Sequence, residues 1–217
     1  MPDGIASSCI IEFAGKNILL TVQHATGDMK NWCLELKYEK GKGVLVKPLG
    51  AMNFLAAYNL IDRQSRDIDF SYVEIQKDLQ PYWQKVNPNT EEVESEIPRI
   101  ISVVDFDLVP SQNEIYGFAG QVMPELVGNT LFAEHKLYTK LKYVGDDGEY
   151  YKFELPDTHP GHEYFQGCSG APIIDSQGRT VALVCKGDQQ TNIVYGISLK
   201  RYQVALDATY GELSKVT

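Results

Sequence analysis

Short runs rich in β-branched and aromatic residues recur along the whole chain: CIIEF, NILLTV, WCLELKY, GVLVKPL, DFSYVEI, RIISVVDF, EIYGFAG, KLYTKLKYV, EYYKFEL, APIID, TVALVC and IVYGISL. Most are bounded by Gly, Asn, Asp or Pro, which ends each run before a helix could extend. Strands at this density, with 13 Tyr and 8 Phe to pack their faces, predict an all-β chain built as barrels or sandwiches rather than alternating α/β units. YVGDDGEYY reads as a hairpin, because Asp147-Gly148 supplies the positive φ of a tight turn. The stretch from Gln76 to Ile97 loses the apolar alternation and gathers acids and Asn, which predicts an exposed loop. A division near residue 105 is expected, giving domains over 1–105 and 106–217. Beyond Leu199, Tyr202, Ala205, Leu206 and Thr209 stand at helical spacing and Gly211 follows, which predicts a short C-terminal helix.

A chain of 217 residues with 43% apolar content can bury a core without staples. Its 20 Lys+Arg against 29 Asp+Glu leave a net charge of −9, which repels phosphate backbones and anionic membranes and argues against nucleic acid as a partner. The N-terminal MPDGIASSCIIEFAGKNILL has no basic segment followed by an unbroken apolar one, so it does not read as a secretory signal. No 18-residue apolar run suggests a membrane span. Cys9, Cys33, Cys168 and Cys185 show no CxxC spacing and are read as reduced thiols of a cytoplasmic protein.

Three segments carry chemistry. ILLTVQHATG runs an apolar strand directly into His24, although a single histidine there more often serves structure. SRDIDFSYVEI opens an alternating strand at Asp69, where an acid commonly caps or solvates a turn. FQGCSGAPIID sets Cys168-Ser169 between glycines, and such a backbone can aim two N–H groups at one point, although Gly and Ser together usually make only a turn. Singly, each favours the plain reading. The order His, Asp, then Ser inside a Gly-x-Ser-Gly turn is a combination that chance seldom supplies.

The sequence resembles the trypsin-like, chymotrypsin-fold serine peptidases. Thr21-Val22-Gln23-His24 matches their Thr-x-x-His strand end, Asp69-Phe70-Ser71-Tyr72-Val73 their Asp strand, and Gly167-Cys168-Ser169-Gly170-Ala171-Pro172 their nucleophile turn. The resemblance implies two six-stranded antiparallel β-barrels with a short C-terminal helix and a site between them. His24 and Asp69 would come from the first barrel and Ser169 from the second. It further implies Ser169 as nucleophile, His24 as base, Asp69 as the group orienting the imidazole, and the N–H groups of Gly167 and Ser169 as the oxyanion hole. Asp67 competes for the Asp role, but aligning it there would put Asp69 at a small buried position of the family strand.

Some relatives use cysteine as nucleophile, yet Ser169 holds the family register between the glycines and Cys168 misses it by one. The side chain of Cys168 is expected to point away from the cleft. It also stands where secreted relatives place an Asp that pairs with a newly cut N-terminus, so zymogen activation of that kind is not expected. Ala25 replaces the usual cysteine after the histidine, which leaves Cys9 without that disulfide partner. For substrate binding, the resemblance points to Glu163 at the pocket base, Gln166 at its entrance, and Cys185-Lys186-Gly187 along the substrate backbone. Glu163 there would select Arg or Lys; a solvated loop carboxylate is the equal alternative. His159 and His162 lack a third ligand and read as an exposed loop rather than a metal site. The expected protein is a serine endopeptidase acting on protein or peptide, without cofactor or metal, held in check by a regulatory protein partner or ligand. The alternative is a silent peptidase fold used as a protein-binding module.

Overall fold

The computed structural model describes residues 4–27, 32–87, 89–127, 130–161 and 164–211. β1 (Cys9–Phe13) and β2 (Lys16–Thr21) are joined by Ala14-Gly15, both at positive φ, 50° and 75°. Two such residues give a turn whose twist matches that of the strands it connects. β3 (Cys33–Glu39) and β4 (Gly43–Pro48) form a separate hairpin, while β5 (Asn53–Asn59) and β6 (Gln64–Ile75) extend the first sheet to the order β1-β2-β6-β5. Leu34 of the β3–β4 hairpin packs with Leu19 of β2 and Ile75 of β6, so its strands join this half through side chains.

β7 (Tyr82–Val86) and β8 (Val93–Pro98) pair as a further hairpin. This corrects the expected loop over 76–97. Every residue of β8 is exposed, so its ladder forms without the alternating apolar face by which a strand is recognised in sequence. The RIISVVDF run shortens to a two-residue strand, β9 (Val103–Val104). Ile100 and Val103 are 82% and 63% exposed.

In the C-terminal half, β10 (Ile115–Val127), β11 (Thr130–Asp146), β12 (Tyr150–Glu154), β15 (Ile193–Ser198), β14 (Arg179–Asp188) and β13 (Pro172–Asp175) pair in that cyclic order. β13 returns to β10, closing a six-stranded antiparallel barrel, and β9 adds parallel to β14. Tyr116, Phe118, Tyr151 and Phe153 alternate inward to fill it. Gly148 at φ 95° turns β11 into β12, with the Asp146 and Asp147 side chains accepting from the Gly148 and Tyr150 amides.

α2 (Leu199–Tyr210) starts at Ser198, whose hydroxyl accepts from the Arg201 amide. It buries Leu199, Tyr202, Ala205 and Leu206 in a core shared with β1, β2, β6, β14 and β15. Tyr202 stacks on Phe70 at 5.3 Å. Leu199 and Leu206, fully buried, contribute about 1.5–3 kcal/mol each, and here the contribution fastens the two halves to each other. No helix among the described residues is long and apolar enough to cross a membrane.

Candidate active site

β2 delivers its last residue, Thr21, opposite Ser71 of β6. Three residues further, His24 lies in the short helix α1 (Gln23–Thr26), while two residues back along β6 lies Asp69; the register therefore brings the pair together. The His24 amide donates to Asp69 Oδ1 at 2.8 Å, and ring Nδ1 lies 2.8 Å from Oδ2. A carboxylate only accepts, so Nδ1 carries the proton and Nε2 of the neutral ring is an acceptor. Nε2 meets Ser169 Oγ at 2.9 Å. Thr26 anchors α1 from behind through its hydroxyl bond to Ser71, 3.1 Å. Asp67 sits exposed opposite Ala56 on the β5–β6 ladder, so Asp69 is the carboxylate that meets His24.

Partial burial works against the charge of Asp69, but hydrogen bonds from the His24 ring, the Cys185 thiol and the His24 amide outweigh it and hold the carboxyl below its ordinary value. The Cys185 contact went unread in the sequence, where Cys185 was expected along the substrate. Its side chain turns inward and donates Sγ–H to Asp69 Oδ2. Cys185 is the extra residue of a bulge between the pairs Val184–Gly196 and Lys186–Tyr195, which accounts for the change of direction. Burial, then the neighbouring Asp69 charge, raises its thiol pKa, so it remains a donor. His24, Asp69 and Cys185 place ligating atoms within 4.8 Å of one another, but Asp69 already accepts hydrogen bonds from both partners.

The Ser169 turn depends on two glycines. Gly167 and Gly170 have φ of 96° and 88°, and a Cβ would meet Gln121 O at 2.3 Å and Ser7 O at 2.1 Å respectively. Cys168 is fully buried against Gly120 of β10, pointing away from Ser169 as expected, and burial pushes its thiol up to about 12. The Cys168 amide donates to Phe165 O and the Gly170 amide to Val184 O. The Gly167 and Ser169 amides have no acceptor among the described residues.

The segment before β1 also holds this turn. Ser7 Oγ donates to Gly167 O at 2.7 Å, the Ser7 amide donates to Ser169 O at 2.9 Å, and Thr21 Oγ1 donates to Ser7 O at 2.8 Å. Sequence reading missed the clamp: Ser7-Ser8 before an apolar strand looks like any polar lead-in.

Glu163 and His162 lie outside the described residues. Gln166 is exposed beside the turn. Lys186 is exposed, its ammonium 4.9 Å from each of the Tyr150 and Tyr195 rings. Lys186 and Gly187 pair with β15 on one edge, and no described strand pairs with the other. His159, expected in an exposed loop, is only 4% exposed and stacks on Phe165 at 4.4 Å. It fills the space beside Gly187, where a Cβ would meet its Nε2 at 2.6 Å.

The chain has the fold of the trypsin-like serine proteases. It superimposes on a serine endoprotease from Yersinia pestis with a TM-score of 0.57 and 11% identity, covering 97% of this chain and 59% of that one. Neuropsin, a serine protease expressed in mouse brain, gives a TM-score of 0.61 and 10% identity over 94% of this chain and 88% of its own. A mutant of human heparin binding protein gives 0.61 and 9%, covering 95% of this chain and 86% of its own. The chain spans only 59% of the Yersinia protein's length. No protein-family model matches the sequence. No curated protein matches it.

Proposed function

We propose that the protein is a serine endopeptidase that hydrolyses peptide bonds through an acyl-enzyme on Ser169. The observation that carries this reading is the run of hydrogen bonds from Ser169 Oγ to His24 Nε2, 2.9 Å, and from His24 Nδ1 to Asp69 Oδ2, 2.8 Å. A serine hydroxyl is a weak nucleophile at neutral pH. His24 takes its proton as Oγ bonds to the carbonyl carbon, and Asp69 balances the imidazolium. The carbonyl electron pair moves onto oxygen, facing the Gly167 and Ser169 N–H groups, a stabilisation on the order of 10² to 10³ in rate per donor. Collapse expels the amine, which takes its proton from His24. Water then repeats the sequence to release the acid.

The open edge at Lys186-Gly187 suits a substrate strand added antiparallel. Glu163 is proposed to select Arg or Lys before the scissile bond, so Glu163→Gln should abolish that preference in a peptide library. The four cysteines are thiols, which supports work in the reducing cytoplasm. The Ser7 clamp supports a turn formed without zymogen cleavage, with control left to a partner or ligand.

A fluorophosphonate probe should label the wild type and fail on Ser169→Ala while still labelling Cys168→Ala; the reverse pattern overturns the serine assignment. A second reading, a non-hydrolytic binding module, draws on the fold shared with a protein named for binding heparin. The net charge of −9 opposes a polyanion as its ligand. Absence of labelling in wild type, alone and in lysate, would favour the module.

A further inference from the structure

Behind the Ser169 turn, away from His24, lies a cavity of about 290 Å³ bounded by Ala6, Ser8, Trp83, Ile97, Arg99 and Gln121, among others. Its walls come from the segment before β1, the β7–β8 hairpin and β10. They are largely apolar, with one permanent cation. Arg99 Nε is shut off from solvent and has no hydrogen-bond partner among the described residues. Its guanidinium makes no salt bridge or hydrogen bond among the described residues. Among the described residues, the charged and titratable groups that face it are Glu35 of β3 and His135 of β11. Glu35 acts on it through space without forming an ion pair. His135 packs on Trp83, and burial, then Arg99, disfavours its protonation.

Drawing a cation partly out of water without a hydrogen-bonded counter-charge is costly. A guanidinium is also a planar fork matched to two oxygens of one oxyanion. We propose that this cavity is a binding site for a small carboxylate with an apolar body: the carboxylate on Arg99, the body against Trp83 and Ile97. An acid and its neutral amide are of one size, so charge is the discriminating property. Binding itself does not rest on the proposed hydrolysis. Its consequence for catalysis does, because Ala6 and Ser8 flank Ser7, which bonds Gly167 O and Ser169 O, and Gln121 O backs Gly167. Occupancy is therefore felt at the oxyanion-hole turn.

The test is calorimetric titration of the full chain carrying Ser169→Ala with hexanoate, acetate and hexanamide. Hexanoate should bind one to one, on the order of a hundredfold tighter than acetate, from the burial of four added methylenes. Hexanamide should not bind. Arg99→Met should abolish hexanoate binding and Arg99→Lys should retain it in weakened form; the latter serves if the former fails to fold. The amide resonances of Ser7 and Gly167 should shift on titration. No hexanoate binding, or equal binding of hexanamide, overturns the site and leaves Glu35 as the sufficient counter-charge. Binding without movement of those resonances overturns its coupling to the turn. All arms use a variant lacking Ser169, so their failure is distinct from failure of the peptidase reading.

Discussion

Asp69 accepts from three donors on one carboxylate: the His24 ring, the His24 amide and the Cys185 thiol. An amide side chain there can donate to Nδ1, which then loses its proton and leaves Nε2 protonated and unable to accept from Ser169. Asp69→Asn should therefore lower kcat/KM for a peptide substrate by about 10⁴-fold. Near-UV circular dichroism should stay unchanged, which separates a wrong tautomer from a misplaced strand. His24, Asp69 and Ser169 were legible in sequence because each sits in a short motif whose neighbours are also constrained. The bond from the Cys185 thiol to Asp69 was not legible, since the bulge that directs this side chain exists only once β14 pairs with β15.

At the scale of elements, the Ser169 turn is held from outside by the segment before β1. Gly178 offers a control: its φ is 78°, close to the 88° of Gly170, but a Cβ there meets nothing within 4 Å. Gly178→Ala should cost about 1 kcal/mol of backbone strain alone. Gly170→Ala adds a collision with Ser7 O and Thr21 Oγ1, so its melting temperature should fall further and its Ser169 labelling should drop. Equal thermal shifts for the two variants would show that the clamp is loose. The β7–β8 hairpin marks the limit of pattern reading at this scale. A strand with no buried residue carries no period-2 signal, and its pairing is decided by a partner across the turn.

Taken whole, the molecule buries three thiols, Cys9, Cys168 and Cys185, each raised by burial above its ordinary value of 9.0. Such groups stay protonated in the folded chain while the unfolded chain ionises above about pH 9. The unfolded state then binds fewer protons, so stability should hold below pH 9 and decline from there toward pH 12, as urea denaturation at stepped pH would show. Asp69 acts oppositely: its contribution is present above its ordinary value of 3.8 and is lost as pH falls through its lower folded value. A flat alkaline limb would contradict the burial of the thiols. The sequence by itself determined the all-β class, the C-terminal helix and the three residues of the candidate triad, because local turn chemistry and alternation record them. Tertiary structure alone decided the core that fastens the halves together, the Ser7 clamp, the inward turn of Cys185 and the cavity at Arg99. Each of these depends on contacts between residues far apart in the chain, which no local pattern encodes.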